Sequence, residues 1–332
     1  MAYHISSQNI QKQPAFTLIE LVFVIIILGI VASIGSSIIA NVYQNYLLQR
    51  ATHRASLKTE LAAQQIANLL SYRIPGTTIA RNPADLTDNV YVTDPTNATD
   101  ITHTVLEWIG ADNDGFSAAI LPPWNGFCDV KASSSTAIIT PGSNLALADT
   151  IYKNLSNNQV RLNGAPQYPA IFFADKNYVK DPTLSPPDIP YMALGDGTYS
   201  ACLGMTAGET KSCVSTVGYA AAAPEKLTFQ KGATTANKLI VEHYKLAWTA
   251  YAIRQVPRSD GLYDLKLYYN YQPWEGESLN SGWPATNAII VTGVSVFKFA
   301  ESGNTFRFKL CTQENIGEDY NVTICKEKAV IL

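Results

Sequence analysis

The amino-acid sequence predicts an α+β protein: one long N-terminal helix packed on an antiparallel β-sheet, with a large loop-rich insertion between them. Three observations predict it. Residues 16–40 are an almost unbroken apolar run, residues 41–74 continue with helical periodicity, and period-two alternation broken by turn signals recurs from 237 onward. The 332 residues suffice for a sizeable core. With 24 Lys+Arg against 27 Asp+Glu the net charge is −3, so no global basic field exists to hold nucleic acid. Charged residues are only 15%, under the usual level of about a quarter, and 18 Tyr share the polar surface with Thr, Asn and Ser. Such a chain is too apolar to remain disordered.

The apolar run FTLIELVFVIIILGIVASIGSSIIA, as a helix, spans roughly 38 Å and is long enough to cross a bilayer. Glu20 interrupts it. A carboxylate inside a bilayer costs at least about 2.5 kcal/mol, which an ordinary anchor does not spend without a reason. A cleaved secretory signal fits poorly too, because it wants a basic first region and Lys12 is the lone cation here. Glu20 therefore needs a specific partner. Beyond residue 40 the helix continues to residue 74, with Leu47, Ala51, Ala55, Ala62, Ile66 and Leu69 forming a narrow small-residue stripe suited to packing on a sheet. Pro75-Gly76 ends it, giving a rod on the order of 85 Å. Gly29 and Gly35 each weaken the helix by about 1 kcal/mol and suit either helix packing or local melting.

From 76 to 235, Pro, Gly, Asn and Asp are scattered among short apolar pieces, which reads as loops and short elements. Leu239–Val256 and Leu262–Tyr271, separated by Pro257-Arg258-Ser259-Asp260-Gly261, read as a hairpin. A second hairpin is expected around Glu301-Ser302-Gly303-Asn304. Phe297 and Phe299 alternate there with Lys298, as Phe306, Phe308 and Leu310 alternate with Arg307 and Lys309. Residues 322–331 form a last strand.

The residues Pro14-Ala15-Phe16-Thr17-Leu18-Ile19-Glu20-Leu21-Val22 resemble the class III signal of type IV pilins and type II secretion pseudopilins. The resemblance implies a cleaved leader (1–15), an assembly and transmembrane helix (16–40), its amphipathic continuation (41–74) and an α+β, pilin-like periplasmic head (75–332). It implies cutting between Ala15 and Phe16 by a prepilin peptidase and N-methylation of Phe16. Glu20 would then pair with the terminal amine of a neighbouring subunit, two costly charges neutralising each other in an apolar bundle. The family usually has Gly where this chain has Ala15, and often Pro where it has Ser37. The leader's weak positive charge, with Arg50, Arg54 and Lys58 beyond the span, says little about orientation; the N-terminus is placed in the cytoplasm.

All five cysteines lie beyond the apolar run, as suits an exported head. Cys202–Cys213 and Cys311–Cys325 are the shortest closures and the disulfide candidates, other pairings staying open; Cys128 is then a buried free thiol. Asp112 and Asp114, in Asp112-Asn113-Asp114-Gly115, resemble part of a calcium loop without its downstream bidentate Glu, and a plain Asx turn is the favoured reading. Asn321 precedes Val322-Thr323 and follows Asp319, which resembles the extended bacterial N-glycosylation sequon. Trp274, Trp283, Tyr268, Tyr269 and Tyr271 suit either a partner surface or a core. His4, His53, His103 and His243 have no metal spacing, and no GxSxG, HExxH, P-loop or Rossmann fingerprint occurs.

The expected function is non-enzymatic: a minor pilin or pseudopilin of a type IV pilus or type II secretion filament, at or near the tip. No cofactor is expected, calcium apart. The expected partners are the prepilin peptidase, other pilins or pseudopilins, the inner-membrane assembly platform and membrane lipid, and not nucleic acid. Single-pass insertion in a bacterial inner membrane, with a periplasmic head, would precede assembly into the pilus or pseudopilus. A helix-anchored adhesin or DNA-uptake module and a membrane-anchored periplasmic enzyme are the alternatives; a ligand surface or a deep polar pocket would distinguish them.

Overall fold

The computed structural model describes residues 17–92, 102–118, 120, 122–134, 136–164, 166–173, 214–231, 240–280, 286–302, 305–316 and 320–331. Ala15, Phe16, Cys202, Cys213, Trp283 and the Gly303-Asn304 turn lie outside these. Helix α1 runs from Leu18 to Ser71, 54 residues and about 81 Å. Thr17 caps it by accepting the Glu20 N–H, the Thr-x-x-Glu pattern of a helix start. It ends at Tyr72, where Arg73 turns back and donates Nη1 to the Leu70 carbonyl.

The head then adds β1 (Ile79–Arg81), β2 (Asn89–Tyr91), β3 (Val105–Ile109), α2 (Asn113–Phe116), β4 (Asp129–Ser134) and β5 (Ala137–Ile139). It continues with α3 (Leu145–Leu155), β6 (Ala170–Phe173), β7 (Ser215–Tyr219), β8 (Lys226–Lys231) and β9 (Tyr244–Ala247). The last strands are β10 (Ala250–Pro257), β11 (Tyr263–Tyr269), β12 (Thr286–Ser302), β13 (Thr305–Ile316) and β14 (Tyr320–Ile331). An eight-stranded sheet has the order β14-β13-β12-β11-β10-β3-β1-β2, and a six-stranded sheet the order β4-β5-β8-β7-β6-β9. The named strand pairs are antiparallel throughout.

Helix α1 docks its second half on the larger sheet. Ala55, Thr59, Ala62, Ala63, Ile66 and Leu70 are buried there, against Phe297, Phe306, Phe308 and Leu310 among others. The expected stripe held Ala55, Ala62 and Ile66, with Leu47, Ala51 and Leu69 only half covered. Thr59, Ala63 and Leu70 join it because a sheet covers a wide arc of a helix rather than a line. Thr59 is tolerated inside because its hydroxyl lies 2.6 Å from both the Ala55 carbonyl and the Thr312 hydroxyl.

Two expectations change. The predicted strand Leu239–Val256 is cut at Trp248-Thr249, leaving β9 in the small sheet and β10 in the large one. The crossing is pinned by Thr249, which accepts the Asn270 N–H at 2.9 Å and donates to the Ala250 carbonyl at 2.8 Å, and by Gln272, which donates to the Trp248 carbonyl. The short elements expected among the loops of 76–235 include β4 to β8, which assemble into the small sheet, a pairing not anticipated. Strands of three to six residues are too short for periodicity to reveal, so pairing alone defines them. A second core of Ile79, Val105, Ile109, Phe172, Ala247, Tyr271 and Trp274 draws on strands of both sheets.

The docked helix is clamped electrostatically. Lys58 pairs with Glu314 at 2.8 Å, and Glu60 pairs with Lys328 at 2.6 Å and Lys326 at 3.3 Å. The Lys328 and Lys326 hydrogen bonds hold the Glu60 carboxyl below its ordinary value. At the other end Arg73 and Glu301 form a fully buried pair at 3.0 Å, with the guanidinium over the Phe306 ring. Across β13 and β14, Cys311 and Cys325 sit in register and are joined by a disulfide.

Glu301→Ala leaves the Arg73 guanidinium buried and unpaired, so urea unfolding should show a loss of about 3–5 kcal/mol. Cys311→Ser with Cys325→Ser opens a short closed loop, and the same assay should show a loss of about 3 kcal/mol against the oxidised protein.

Candidate functional site

Not one residue from Leu18 to Arg54 is buried, although the segment is dominated by Ile, Val and Leu; Leu18 is 82% exposed and Val42 62%. Among the described residues α1 is the one helix long and apolar enough to cross a membrane. The exposed surface carries a single acid, Glu20, at the third helical position. There it also complements the positive end of the helix dipole. The next cation along the chain, Arg50, is about 45 Å away on the same straight rod. Among the described residues no side-chain cation pairs with Glu20.

Asp112 and Asp114 do not form a paired ligand set. Asp112 is buried and caps α2, its Oδ1 accepting the Gly115 N–H at 2.8 Å and its Oδ2 the Trp124 indole N–H at 2.9 Å. Both oxygens are therefore engaged, while Asp114 is exposed on the helix turn. Among the described residues no three His, Cys, Asp or Glu converge as metal ligands. Burial is the main cause that pushes the Asp112 carboxyl above its ordinary value. The Tyr152 phenol beside it is raised well above normal, chiefly by burial and then by the Asp112 charge.

The other candidates resolve case by case. Trp274 and Tyr271 are core residues, and Tyr268 and Tyr269 are half-buried on β11. His103 pairs with Asp88 at 3.1 Å, and His243 meets the Phe127 ring edge-on. Cys128 is buried and free, its thiol raised chiefly by burial and hydrogen-bonded to Ser133. Asn321 and Thr323 are both exposed near the start of β14.

Sequence reasoning missed the buried charges. Arg81 pairs with Glu107 inside the second core and donates to the Leu86 carbonyl, with the Tyr271 hydroxyl raised well above normal by burial and by the Glu107 charge. Read along the chain, Arg73 and Arg81 look like surface residues. The signal that could have found them is Glu107 inside an otherwise apolar strand, which demands a cation opposite.

Asp112→Ala removes a helix cap and strands the buried Trp124 N–H, so head stability should fall by about 2–4 kcal/mol in thermal or urea unfolding. Since the folded state holds the Asp112 proton more tightly than the unfolded chain does, its contribution to stability should decline as pH rises from about 3.8 upward, until the folded carboxyl is itself ionised. Asp112→Asn should abolish that component of the pH dependence.

No curated protein and no solved structure matches the chain. A family model described as the prokaryotic N-terminal methylation motif matches residues 10–36, the leader's last residues, Glu20 and most of the exposed apolar run. Such a motif implies processing by a prepilin peptidase and assembly with other pilins. Taken with the bare apolar helix and its lone carboxylate, the match identifies the N-terminus: the chain carries the prokaryotic N-terminal methylation motif, the signature of type IV pilin-like prepilin signals.

Proposed function

We propose that the chain is a minor pilin or pseudopilin of a type IV pilus or type II secretion machine, acting at or near the filament tip and catalysing no reaction. The supporting observation is the division of α1. From Ala55 onward it docks on the head, while Leu18 to Val42 is a bare, mostly apolar surface bearing one carboxylate. A surface of that length first needs lipid and then other helices.

In this reading the helix inserts in the inner membrane with the N-terminus cytoplasmic and the head periplasmic. The peptidase cuts after Ala15, Phe16 is methylated, and the assembly platform moves the subunit from bilayer to filament. Glu20 meets the terminal amine of a neighbour, which removes both charges from the apolar bundle. A minor role follows from size: a mature chain only 15 residues shorter than 332 is large beside the compact heads that tight helical stacking requires.

Intact-mass and N-terminal peptide analysis of membrane-extracted protein should show loss of residues 1–15 and a methylated Phe16, both dependent on an active peptidase. An uncut chain would reduce the helix to an anchor. Glu20→Ala should remain in the membrane fraction while its share of sheared filaments drops at least tenfold, roughly the effect of about 1.4 kcal/mol or more. Unchanged incorporation would remove the assembly role given to Glu20.

A further inference from the structure

We propose that α1, just beyond its apolar run, carries a collar for anionic phospholipid headgroups, built from Tyr43, Tyr46, Arg50, His53 and Arg54. The inference rests on the reading that α1 crosses the inner membrane, and it names the lipid chemistry that this crossing favours. The apolar run ends near Val42 and the head first buries the helix at Ala55, leaving about 18 Å of bare helix between them. At 3.6 residues per turn the five side chains fall within an arc of about 100°, opposite the face of Ala55, Thr59, Ala62 and Ile66 that docks on the sheet. All five are exposed, Tyr43 at 61% and Tyr46 at 57%.

Charge selects the occupant. Between Leu21 and Thr59 the chain has no acidic residue. Arg50 and Arg54 make no ion pair among the described residues, whereas the next cation, Lys58, is held by Glu314. Side chains on a helix lean toward its N-terminus, so both arginines reach back toward the bilayer, their stems along the helix and their guanidinium groups at phosphate level. Tyr43 and Tyr46, one turn nearer the apolar run, place amphipathic rings where a bilayer meets water. A second copy's helix is a poor alternative occupant. Its Glu60 is engaged by Lys326 and Lys328, and its Glu20 lies at the far end. These cations also lie on the side of the span where the usual charge bias puts fewest, so a local phosphate partner explains them better than an orientation signal does.

The test uses the full chain in detergent with equal amounts of phosphatidylglycerol and phosphatidylcholine, counting retained lipids by native mass spectrometry. Phosphatidylglycerol should be retained at least about tenfold over phosphatidylcholine, each arginine contributing about fivefold. Arg50→Gln with Arg54→Gln should bring the ratio near parity, and Lys58→Gln should leave it high. Equal retention by the unaltered protein, or a preference that survives the double variant, would overturn the collar. Flotation with phosphatidylcholine vesicles is read separately: every form should float, and failure of the unaltered protein to do so would overturn the spanning helix instead.

Discussion

The docking of the second half of α1 on the eight-stranded sheet is the interaction on which the rest of the molecule depends. Ala55, Ala62 and Ala63 bring the helix backbone close to the sheet, and Ile66 and Leu70 fill the space beside Phe306, Phe308 and Leu310. Polar contacts then set the helix along its axis, Lys58–Glu314 and Thr59–Thr312 at one end and Arg73–Glu301 at the other. Because an uninterrupted helix transmits its direction, packing between Ala55 and Leu70 also aims the bare segment from Leu18 to Arg54. One stretch of packing thus sets the geometry of both the head and the apolar rod.

The small sheet is attached by two short joints. One follows β3, where Ala111 donates to the Tyr72 carbonyl and Asp112 to the Leu246 carbonyl, tying helix end, large sheet and β9 together within two residues. The other is the Trp248-Thr249 crossing between β9 and β10. At both, buried backbone N–H and C=O groups find partners within the joint. Strand β3 shows how the faces divide: Leu106 and Trp108 turn to the helix-side core, Val105 and Ile109 to the core shared with the small sheet. Glu107 lies between the latter two and is tolerated because Arg81 neutralises it.

Legibility followed the range of the physics involved. Glu20 was readable because a carboxylate in an apolar run is anomalous whatever surrounds it. The Phe/Lys and Phe/Arg alternations of β12 and β13 were readable because period two is local, and the Cys311–Cys325 closure was the shortest of its neighbourhood. Asp112-Asn113-Asp114-Gly115 was ambiguous, since a capped turn and a fragment of a cation loop share their residues. What separated the two was burial and the Trp124 N–H, which arrives from a different segment.

The two-part helix, its lone acid, the methylation-type N-terminus and the C-terminal hairpin strands are legible in the order of residues alone, because each is a pattern of neighbours within one or two turns or along one strand. Three outcomes emerge with the folded chain: the long middle stretch folds into a second sheet, Leu239–Val256 holds two strands in different sheets, and Arg73 and Arg81 are interior cations. Those outcomes depend on contacts between residues far apart in the chain. Arg73 meets Glu301 across 228 positions, and composition or periodicity around either residue carries no trace of the other.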